Sequence, residues 1–413
     1  MNKIVKLKDI ASFSQGIQIP IKKQLSEKLE GTVRFIRIVD YTKLENEPSR
    51  YIPNPGEKYI VEEDDVVMIR YGSKTAGMVS NGISGAIANN MFQIKIKEEN
   101  IIDKNFLYWT LREEGVYKRL NNSQSSSTMP AITFDMIGNL VIKIPDLVNQ
   151  KKITSILSTY DNLIENNTRR IQILEEMAQR IYKEWFVNFK YPGHENDKLA
   201  DSELGMIPEG WEVIEISEKF KTVLGGTPSR KNEDYWINGT VPWINSSMVN
   251  ELRVIDHSEL ITKEALKQSS TKLMPTRTTV LAITGATLGQ VSLLEEEVCA
   301  NQSVVGVYDE NKTFNEFIYM TLTHIIKRII NRAGGGAQQH INKEIVNSVK
   351  IFCPKQNVVG SFNNIIIPIF DEIKNMLFKN RNLRQTRDLL LPKLISGKID
   401  VSDLDIDTSI LHD

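Results

Sequence analysis

Apolar residues recur in alternating steps of four and three along two long segments of this chain. In the first segment the repeating positions are Ile153, Leu157, Tyr160, Ile164, Asn167, Ile171, Leu174, Ala178, Ile181 and Trp185. The second segment has the same spacing at Phe362, Ile366, Ile369, Ile373, Met376, Asn380, Leu383, Arg387, Leu390 and Leu394. This spacing is typical of helices that pack along a heptad seam. It predicts two long helices packed together, with Asn167 and Asn380 fixing their register. A buried helix in an ordinary core is the alternative.

Proline residues and a possible N-capping residue indicate where these two helices begin and end. Pro368 and Pro392 lie inside the second segment, and proline lacks the N–H that an inner helical turn needs. We therefore expect the second helix to kink or end near them. Pro145 and Asp146, followed by Lys151, look like a fragment of a nuclease motif. Because Pro and Asp are also common at a strand-to-helix boundary, N-capping of the first helix is the favoured interpretation.

The chain contains one long unit twice. EDDVVMIRYGSKTAGMVSNGISGAIANNMFQIKI resembles TTVLAITGATLGQVSLLEEEVCANQSVVGVY at an offset near 212, which matches Gly77 with Gly289 and Asn89 with Asn301. Farther along, AITFDMIGNLVIKIP resembles HINKEIVNSVKIFCP at an offset near 209. Two copies of so long a unit indicate a duplicated domain with an internal pseudo-twofold rather than a solenoid.

Each copy mixes two kinds of periodicity. Short β-rich runs such as VRFIRIV and TTVLAIT stand beside helical runs such as FLYWTLREEGVYKRL and FIYMTLTHIIKRII, which predicts an α+β globular head. The predicted organisation is a first head at 1–145, a spacer helix at 146–190, a linker at 191–204, a second head at 205–355, a second spacer helix at 356–398 and an acidic tail at 399–413.

Composition adds little to this organisation. The 413 residues are 41% hydrophobic and 25% charged, as in ordinary globular domains. The N-terminus carries no signal core and no stretch approaches ~20 apolar residues, so we expect a soluble, cytoplasmic protein with no membrane partner. Cys299 and Cys353 cannot form a disulfide framework or a four-cysteine zinc site, and we expect both in the core. The net charge of −1 suggests no partner by itself.

Common catalytic motifs do not occur in the sequence. It has no G-x-x-x-x-G-K-[ST] phosphate loop, no H-E-x-x-H metal helix and no G-x-S-x-G nucleophile turn, and its five histidines lie far apart. We therefore predict no catalytic residue and no metal site.

Polar loops and turns occupy equivalent places in the two copies. NNSQSSSTMP and NRAGGGAQQH precede the last strand of each head, and RYGSKTAG and ITGATLG follow an earlier strand. GGTPSRKNEDYW is partly equivalent to QGIQIPIKK, which contains Lys22 and Lys23. Amides, hydroxyls and cations contact base edges and phosphates of nucleic acid. The candidate DNA-binding residues are Arg70, Tyr71, Ser73, Lys74, Thr75, Asn89, Asn90, Ser125, Ser126, Ser127, Thr128, Thr227, Ser229, Arg230, Ser246, Ser247, Thr284, Thr287, Asn301, Gln302, Gly335, Gln338, Gln339 and His340. Surface loops and tight glycine turns without function are the alternative.

Four segments, taken in order with the duplication, resemble a known family. They are GGTPSR, ELGMIPEGWEV, KEWFVNF after a heptad helix, and LLLPKLISGKID near the end. They are similar to signatures of type I restriction–modification specificity subunits, and the resemblance covers nearly the whole chain. It implies an α+β protein with two pseudo-twofold-related target-recognition domains separated by two long antiparallel coiled-coil helices. Each domain would read one half of an asymmetric bipartite DNA target.

The resemblance also implies partners for the chain. These would be double-stranded DNA, two modification subunits that bind S-adenosylmethionine and methylate adenine, and restriction subunits that use ATP and Mg in phage defence. The helices would set the spacing and dock the modification subunits. They would pack against each other through the helix-pair residues Ile153, Leu157, Ile164, Asn167, Leu174, Ile181, Phe362, Ile366, Ile373, Leu383 and Leu390. The chain would hold no cofactor and be non-catalytic. A self-contained methyltransferase or nuclease with fused recognition domains, and a coiled-coil scaffold without a DNA role, are the alternatives.

Overall fold

The structure is a computed structural model that describes residues 3–42, 48–72, 75–122, 131–250, 252–332 and 341–408. The chain divides into two units. The first unit comprises Met1–Glu165 and Arg381–Asp413, and the second comprises Asn166–Asn380. Across the described ranges, no helix has both the length and the apolar character needed to cross a membrane.

The first unit contains the first head. Its strands are β1 (Lys3–Lys6), β2 (Ala11–Gln15), β3 (Thr32–Ile36), β4 (Arg50–Pro53), β5 (Ile60–Val61), β6 (Val66–Ile69), β7 (Val79–Ser80), β8 (Gly85–Ile87), β9 (Met91–Ile96) and β10 (Val141–Ile144). Its short helices are α1 (Leu7–Ile10), α2 (Ile38–Thr42), α3 (Lys104–Arg112), α4 (Glu114–Asn122) and α5 (Phe134–Gly138).

Two four-stranded sheets and one strand pair organise this head. The sheet orders are β2-β9-β6-β7 and β4-β3-β8-β5, and β1 pairs with β10. The pairs are antiparallel except β3 with β8, which is parallel. Every residue of Val66–Ile69 is buried, as expected for an apolar run covered on both faces. Helix α3 buries Phe106 and Trp109 in the core beside the first sheet.

The second unit contains the second head. Its strands are β11 (Leu199–Ala200), β12 (Ile207–Pro208), β13 (Glu212–Glu215), β14 (Lys221–Leu224), β15 (Val241–Ile244), β16 (Arg253–Val254), β17 (Glu259–Ile261), β18 (Leu273–Met274), β19 (Thr279–Ala282), β20 (Val291–Leu294), β21 (Val298–Ala300), β22 (Val304–Tyr308) and β23 (Lys350–Cys353). The helices are α6 (Ile216–Lys219), α7 (Lys263–Gln268), α8 (Asn315–Arg332) and α9 (Lys343–Asn347).

The second head repeats the strand arrangement of the first and adds an edge strand, β16, and a strand pair, β11 with β12. Its sheet orders are β14-β22-β19-β20-β16 and β17-β15-β21-β18, with β13 paired to β23. Strands β15 and β21 form the parallel pair that corresponds to β3 and β8. The predicted duplication and the α+β class are therefore confirmed. Cys299 and Cys353 are both buried, as expected from the sequence.

Two long helices follow the heads. The first, Leu147–Tyr182, ends in a wider turn at Lys183–Val187, and the second is Gln356–Ile395. We call them the first and the second spacer helix. Asp146 caps the first one, because its Oδ1 accepts a hydrogen bond from the Asn149 backbone N–H at 3.0 Å. That bond lowers the pKa of the Asp146 carboxyl. The boundary between the two units falls inside both helices.

The second spacer helix does not end at Pro368, contrary to one part of the expectation, and it ends at Ile395, three residues after Pro392. The helix continues through Pro368 and Pro392, and both residues are exposed. The carbonyls that would have accepted their missing N–H belong to Asn364 and Asp388, which are exposed as well. Water can therefore take the place of the lost hydrogen bonds, which makes proline tolerable on the solvent face.

Candidate nucleic-acid interface

A glycine brings two strand ends together at the same place in each head. In the first head, a Cβ atom on Gly16 would lie 2.3 Å from the carbonyl oxygens of Ile87 and Ala88. In the second head, a Cβ on Gly225 would lie 2.1 Å from the Asn301 carbonyl oxygen. Only glycine fits so close an approach. The first glycine of GGTPSR therefore has a structural role in placing the residues that follow it.

Backbone hydrogen bonds fix the register between the two copies. The Gly16 N–H donates to the Met91 carbonyl at 3.1 Å, and the Gly225 N–H donates to the Val304 carbonyl at 3.0 Å. Ile17 and Gly226 donate in the same way to Ile87 and Ala300.

This register corrects one alignment made from the sequence. Asn301 is equivalent to Ala88, and Asn89 is equivalent to Gln302. The sequence alignment matched Asn89 with Asn301 because Asn301 stands one position before Gln302, the true equivalent of Asn89. The turns before these residues differ in length between the two copies, which shifts the alignment by one.

Amide side chains and one arginine cluster at this place in the first head. Arg70 Nη1 donates to Gln15 Oε1 at 2.9 Å, and Gln15 Nε2 donates to the Asn89 carbonyl at 2.9 Å. Asn89 Nδ2 lies 3.5 Å from Gln18 Oε1. The Arg70 guanidinium also lies 5.0 Å from the centre of the Tyr71 ring. Arg70 is thus held in place by an amide and an aromatic ring.

Unsatisfied polar atoms remain in this cluster. Arg70 Nε and Asn90 Oδ1 are buried and make no hydrogen bond to the residues that the structure describes. Buried polar groups without partners are costly in a folded protein. These two atoms therefore indicate a binding site, in which a ligand or solvent completes the hydrogen bonding.

The second head has a hydroxyl group, an amide and an apolar residue in the equivalent places. Thr227 Oγ1 donates to Gln302 Oε1 at 2.6 Å. Ile283 occupies the position of Arg70, because its N–H donates to the Ser303 carbonyl as that of Arg70 donates to Asn90. Asn301 caps its own turn, since its Oδ1 accepts the Ser303 N–H at 3.1 Å. The two heads therefore share a backbone and differ in chemistry.

The glycine turns after β6 and β19 also differ by one residue. Thr75 Oγ1 donates to the Tyr71 carbonyl at 3.1 Å, and Thr287 Oγ1 donates to the Thr284 carbonyl at 3.4 Å. The first turn thus has one more residue than the second between the threonine that donates and the carbonyl that accepts. Gly77 and Gly289 have φ angles of 87° and 83°, which explains the glycines.

Several candidates lie outside the described residues. They are Ser73, Lys74, Ser125, Ser126, Ser127, Thr128, Gly335, Gln338, Gln339 and His340. The residues that follow the two polar loops return to the same strand ends, because Ile132 N–H donates to the Arg70 carbonyl and Ile341 N–H donates to the Ile283 carbonyl. Tyr71 also forms an isolated bridge with Ala131.

The remaining candidates lie in the second head. Arg230 is engaged by an acid, since its two Nη atoms each donate to a Glu259 carboxylate oxygen at 2.6 Å and its guanidinium lies 3.6 Å from the Trp236 ring centre. The bond raises the pKa of Arg230 and lowers that of Glu259. Asn245 caps the turn that contains Ser247, because its Oδ1 accepts the Ser247 backbone N–H at 2.9 Å. A phosphate contact by Arg230 would compete with Glu259.

Ser229 and Ser246 also lie in turns of the second head. The Ser229 carbonyl accepts the Trp236 Nε1 proton at 3.3 Å, and the Ser246 carbonyl accepts the Val249 N–H at 3.2 Å. Lys22 and Lys23 of the first head are exposed.

The seam positions of the spacer helices are all buried or half-buried. In the second unit Asn167 Nδ2 donates to Asn380 Oδ1 at 2.8 Å, and Arg170 pairs with Glu372 at 3.2 Å. The Phe186 ring lies 4.8 Å from that of Phe362. Partner numbers fall along one helix as they rise along the other, so the helices are antiparallel there. The helix-pair residues on this part are Asn167, Leu174, Ile181, Phe362, Ile366 and Ile373.

In the first unit, the remaining parts of the two helices also pack together. Asp161 accepts hydrogen bonds from Arg112 of α3, at 3.2 Å, and from Arg387 of the second spacer helix. Two cations from different elements thus meet one carboxylate on the first spacer helix. The helix-pair residues here are Ile153, Leu157, Ile164, Leu383 and Leu390.

A buried ion network in the second unit was missed from the sequence. Arg253 of β16 donates to Glu175 of the first spacer helix at 2.8 Å and to Glu295 at 3.2 Å. Its guanidinium lies 3.9 Å from the ring centre of Phe370. Burial raises the pKa of Glu295 despite the nearby arginines. No local pattern reveals such a network, since its members are far apart in sequence. Gln18, by contrast, lies in QGIQIPIKK and could have been found by aligning it with Thr227.

Known proteins resemble this chain in sequence and in fold. The family model described as the type I restriction modification DNA specificity domain matches the chain twice, at residues 2–176 and 208–384. The type I restriction enzyme HindI specificity subunit of Haemophilus influenzae is 25% identical over 409 residues, covering 84% of this chain and 89% of its own. The MjaIX specificity subunit of Methanocaldococcus jannaschii is 27% identical over 416 residues, covering 97% and 94%. A solved S subunit from M. genitalium shares the fold, with a TM-score of 0.60, 15% identity and 96% coverage of both chains.

Proposed function

Because the chain belongs to the family of type I restriction modification DNA specificity domains, we propose that it is the DNA-recognition subunit of a type I restriction–modification complex. Each head reads one half of an asymmetric bipartite DNA target. The spacer helices set the separation of the two halves and dock the modification subunits. The observation that carries this proposal is the double match to the family, each match spanning one head and much of the helix that follows it.

The two heads have the properties that an asymmetric target requires. Their backbones coincide at the strand ends, while their side chains differ: Arg70 is replaced by Ile283, and the Gln18 and Asn89 pair by Thr227 and Gln302. Identical frames with different polar groups place different donors and acceptors against DNA. Since base edges are distinguished by their donor and acceptor patterns, the two heads select different half-sites.

The spacer helices have a length that suits two half-sites. The 36 residues of the first and the 40 of the second correspond to helices of roughly 54 and 60 Å at 1.5 Å per residue. Half-sites on one face of DNA recur about every 34 Å. A pair of antiparallel helices is long enough to carry two readers over that distance.

Catalysis belongs to the partners under this proposal. Two modification subunits bind S-adenosylmethionine and methylate adenine, and restriction subunits use ATP and Mg for translocation and cleavage. The chain itself contributes recognition and binds none of these cofactors. With a net charge of −1, it leaves much of the attraction for the DNA backbone to its partners.

Co-expression with the modification subunit of the same system tests the proposal. Genome-wide mapping of methylated adenines is expected to reveal one bipartite, asymmetric motif with a fixed gap. Absence of new methylation, or a single undivided motif, would contradict it. The isolated chain is assayed in parallel for S-adenosylmethionine binding. Saturable binding would favour a self-contained methyltransferase instead.

A further inference from the structure

A hydrogen-bonded side-chain pair stands at the same place in both heads. In the first head it consists of Gln18 and Asn89, with 3.5 Å between Asn89 Nδ2 and Gln18 Oε1. In the second it consists of Thr227 and Gln302, with 2.6 Å between Thr227 Oγ1 and Gln302 Oε1. We call these two pairs the strand-end pairs.

The strand-end pairs are equivalent by backbone geometry and not only by sequence. Each first member lies two residues after the glycine that touches the neighbouring strand end, Gly16 or Gly225. Each second member follows strand β8 or β21 by two residues. The two backbone bonds donated by the glycine and by the residue after it are the same in both heads. Both chemical identities changed between the copies, yet a side-chain contact across the two segments is present in each.

Stability does not account for retaining such a pair. Gln18 and Gln302 are exposed, and Asn89 and Thr227 are half-buried. A hydrogen bond between solvated polar groups contributes little to folding, because water satisfies the same groups in its absence. The glycine contact already fixes the backbone. A retained polar pair on a rigid support has the properties of a recognition element.

The two pairs also differ in what they offer to a ligand. Two amides carry several N–H donors and two carbonyl acceptors, while a hydroxyl and one amide carry fewer of each. Groups of this kind discriminate base edges by matching their donors and acceptors. In the second head the 2.6 Å bond orients Thr227 and Gln302 toward each other. In the first head Gln15 holds the Asn89 backbone, and the side chains of Gln18 and Asn89 lie next to each other.

We propose that the strand-end pairs, Gln18 with Asn89 and Thr227 with Gln302, are specificity-determining residues, each contacting one base pair in its own half-site. This inference rests on the proposed function and names the residues through which the two halves come to differ. All four residues lie in described parts of the chain, outside the two polar loops. Arg70 and Gln15 support the first pair by bonding the Asn89 carbonyl through Gln15.

An exchange of the two pairs tests the inference. One variant carries Gln18→Thr with Asn89→Gln, which places the second pair in the first head. The reciprocal variant carries Thr227→Gln with Gln302→Asn. Each full chain is purified with its modification subunits, and bound sequences are selected from randomised DNA duplexes. Gln179→Ala, at an exposed amide on the first spacer helix, is the control for amide loss.

The expected result is a change confined to one half-site. The first variant shifts base preference at one position of the first half by about tenfold or more and leaves the second half unchanged. The reciprocal variant does the opposite, and Gln179→Ala changes neither half. The untouched half reports that each complex is folded and bound to DNA.

Three results would count against the inference or against the proposed function. If the wild-type complex selects a bipartite sequence and both exchange variants select that same sequence, the strand-end pairs are structural and the inference is overturned. If the wild-type complex selects no sequence at all, the proposed function fails first. Weakened binding to both halves by either variant would also overturn the inference, because it would show a general effect on the complex.

Discussion

Removal of Arg253 is expected to destabilise the second unit more than removal of any exposed arginine on the spacer helices. Its guanidinium is the cation between Glu175 and Glu295, at 2.8 and 3.2 Å, and these three side chains are 2%, 4% and 0% exposed. Arg253→Ala leaves both carboxylates buried without that cation. Arg277 remains 3.7 Å from Glu295, so the larger loss falls on Glu175.

The size of the effect follows from the burial of the network. Breaking a buried ion pair by removing one partner costs about 3–5 kcal/mol, because the other charge stays desolvated. For a unit of this size 1 kcal/mol corresponds to roughly 2–4 °C in Tm. We therefore expect the Tm of the second unit to fall by about 6–20 °C. Differential scanning calorimetry of the full chain measures it.

Arg170→Ala is the matched control. Arg170 lies on the same helix as Glu175 and pairs with Glu372 at 3.2 Å, but the two side chains are 57% and 46% exposed. An exposed pair contributes at most about 1 kcal/mol, so the control should lose roughly 4 °C or less. Added salt should shrink the small control effect and leave the Arg253 effect nearly unchanged. Equal losses in the two variants would refute the reasoning from burial.

Substitutions at two further places in the chain are expected to have distinct effects. Arg70→Ala combined with Lys74→Ala should weaken binding to the first half-site alone, by ~1–3 kcal/mol for each lost base contact. Anisotropy titrations with duplexes altered in one half measure this effect. Equal weakening on both halves would contradict the prediction. Glu316 is 4% exposed, its Oε2 has no hydrogen-bond partner in the described part of the chain, and burial raises its carboxyl pKa. A raised carboxyl pKa gives stability that is present at low pH and is lost as the pH rises through that pKa. Glu316→Gln should therefore raise the Tm at pH 8, and this advantage over the wild type should shrink toward pH 4. An advantage that stays constant with pH would contradict the prediction.

The long-period features of this protein could be predicted from its sequence. Asn167 and Asn380 could be predicted to lie on the packed faces of the two helices, because helical periodicity decides which residues of a helix share a face. The duplicated heads were visible because the β-rich runs and glycine turns kept their order. The cap at Asp146 was predictable because capping depends on a few neighbouring residues.

Features that depend on tertiary context were not predictable. Pro368 sits within a continuous helix because its face is exposed, which the sequence does not state. The offset of Asn89 from Asn301 was wrong by one residue, since turn length is decided by backbone geometry. The Arg253 network joins a strand, a loop and a helix that are remote in the chain. Local periodicity has no access to such contacts.

A fragment ending near Ala200 tests whether each copy is an autonomous reader. It keeps the first head and the first spacer helix, whose seam is repeated in the second spacer helix. Two such fragments should pair antiparallel about a true twofold. In the full chain Leu391 and Leu394 of the second spacer helix pack in the core of the first unit. In the dimer of fragments their places would be taken by Tyr182 and Trp185 of the other fragment, which correspond to them at the repeat offset of 209.

The most direct measurement is the methylation motif of this fragment, co-expressed with the modification subunit and read genome-wide. Twofold dimers read palindromes, so the account predicts the first half of the native target twice, inverted, around a fixed gap. Asn167 would face the neighbourhood of Ile171, and an unpaired buried amide there costs ~1–3 kcal/mol, so weak dimerisation fits the account. Methylation of the original asymmetric motif, or of a single undivided half-site, would contradict the claim that each copy reads its own half of the target.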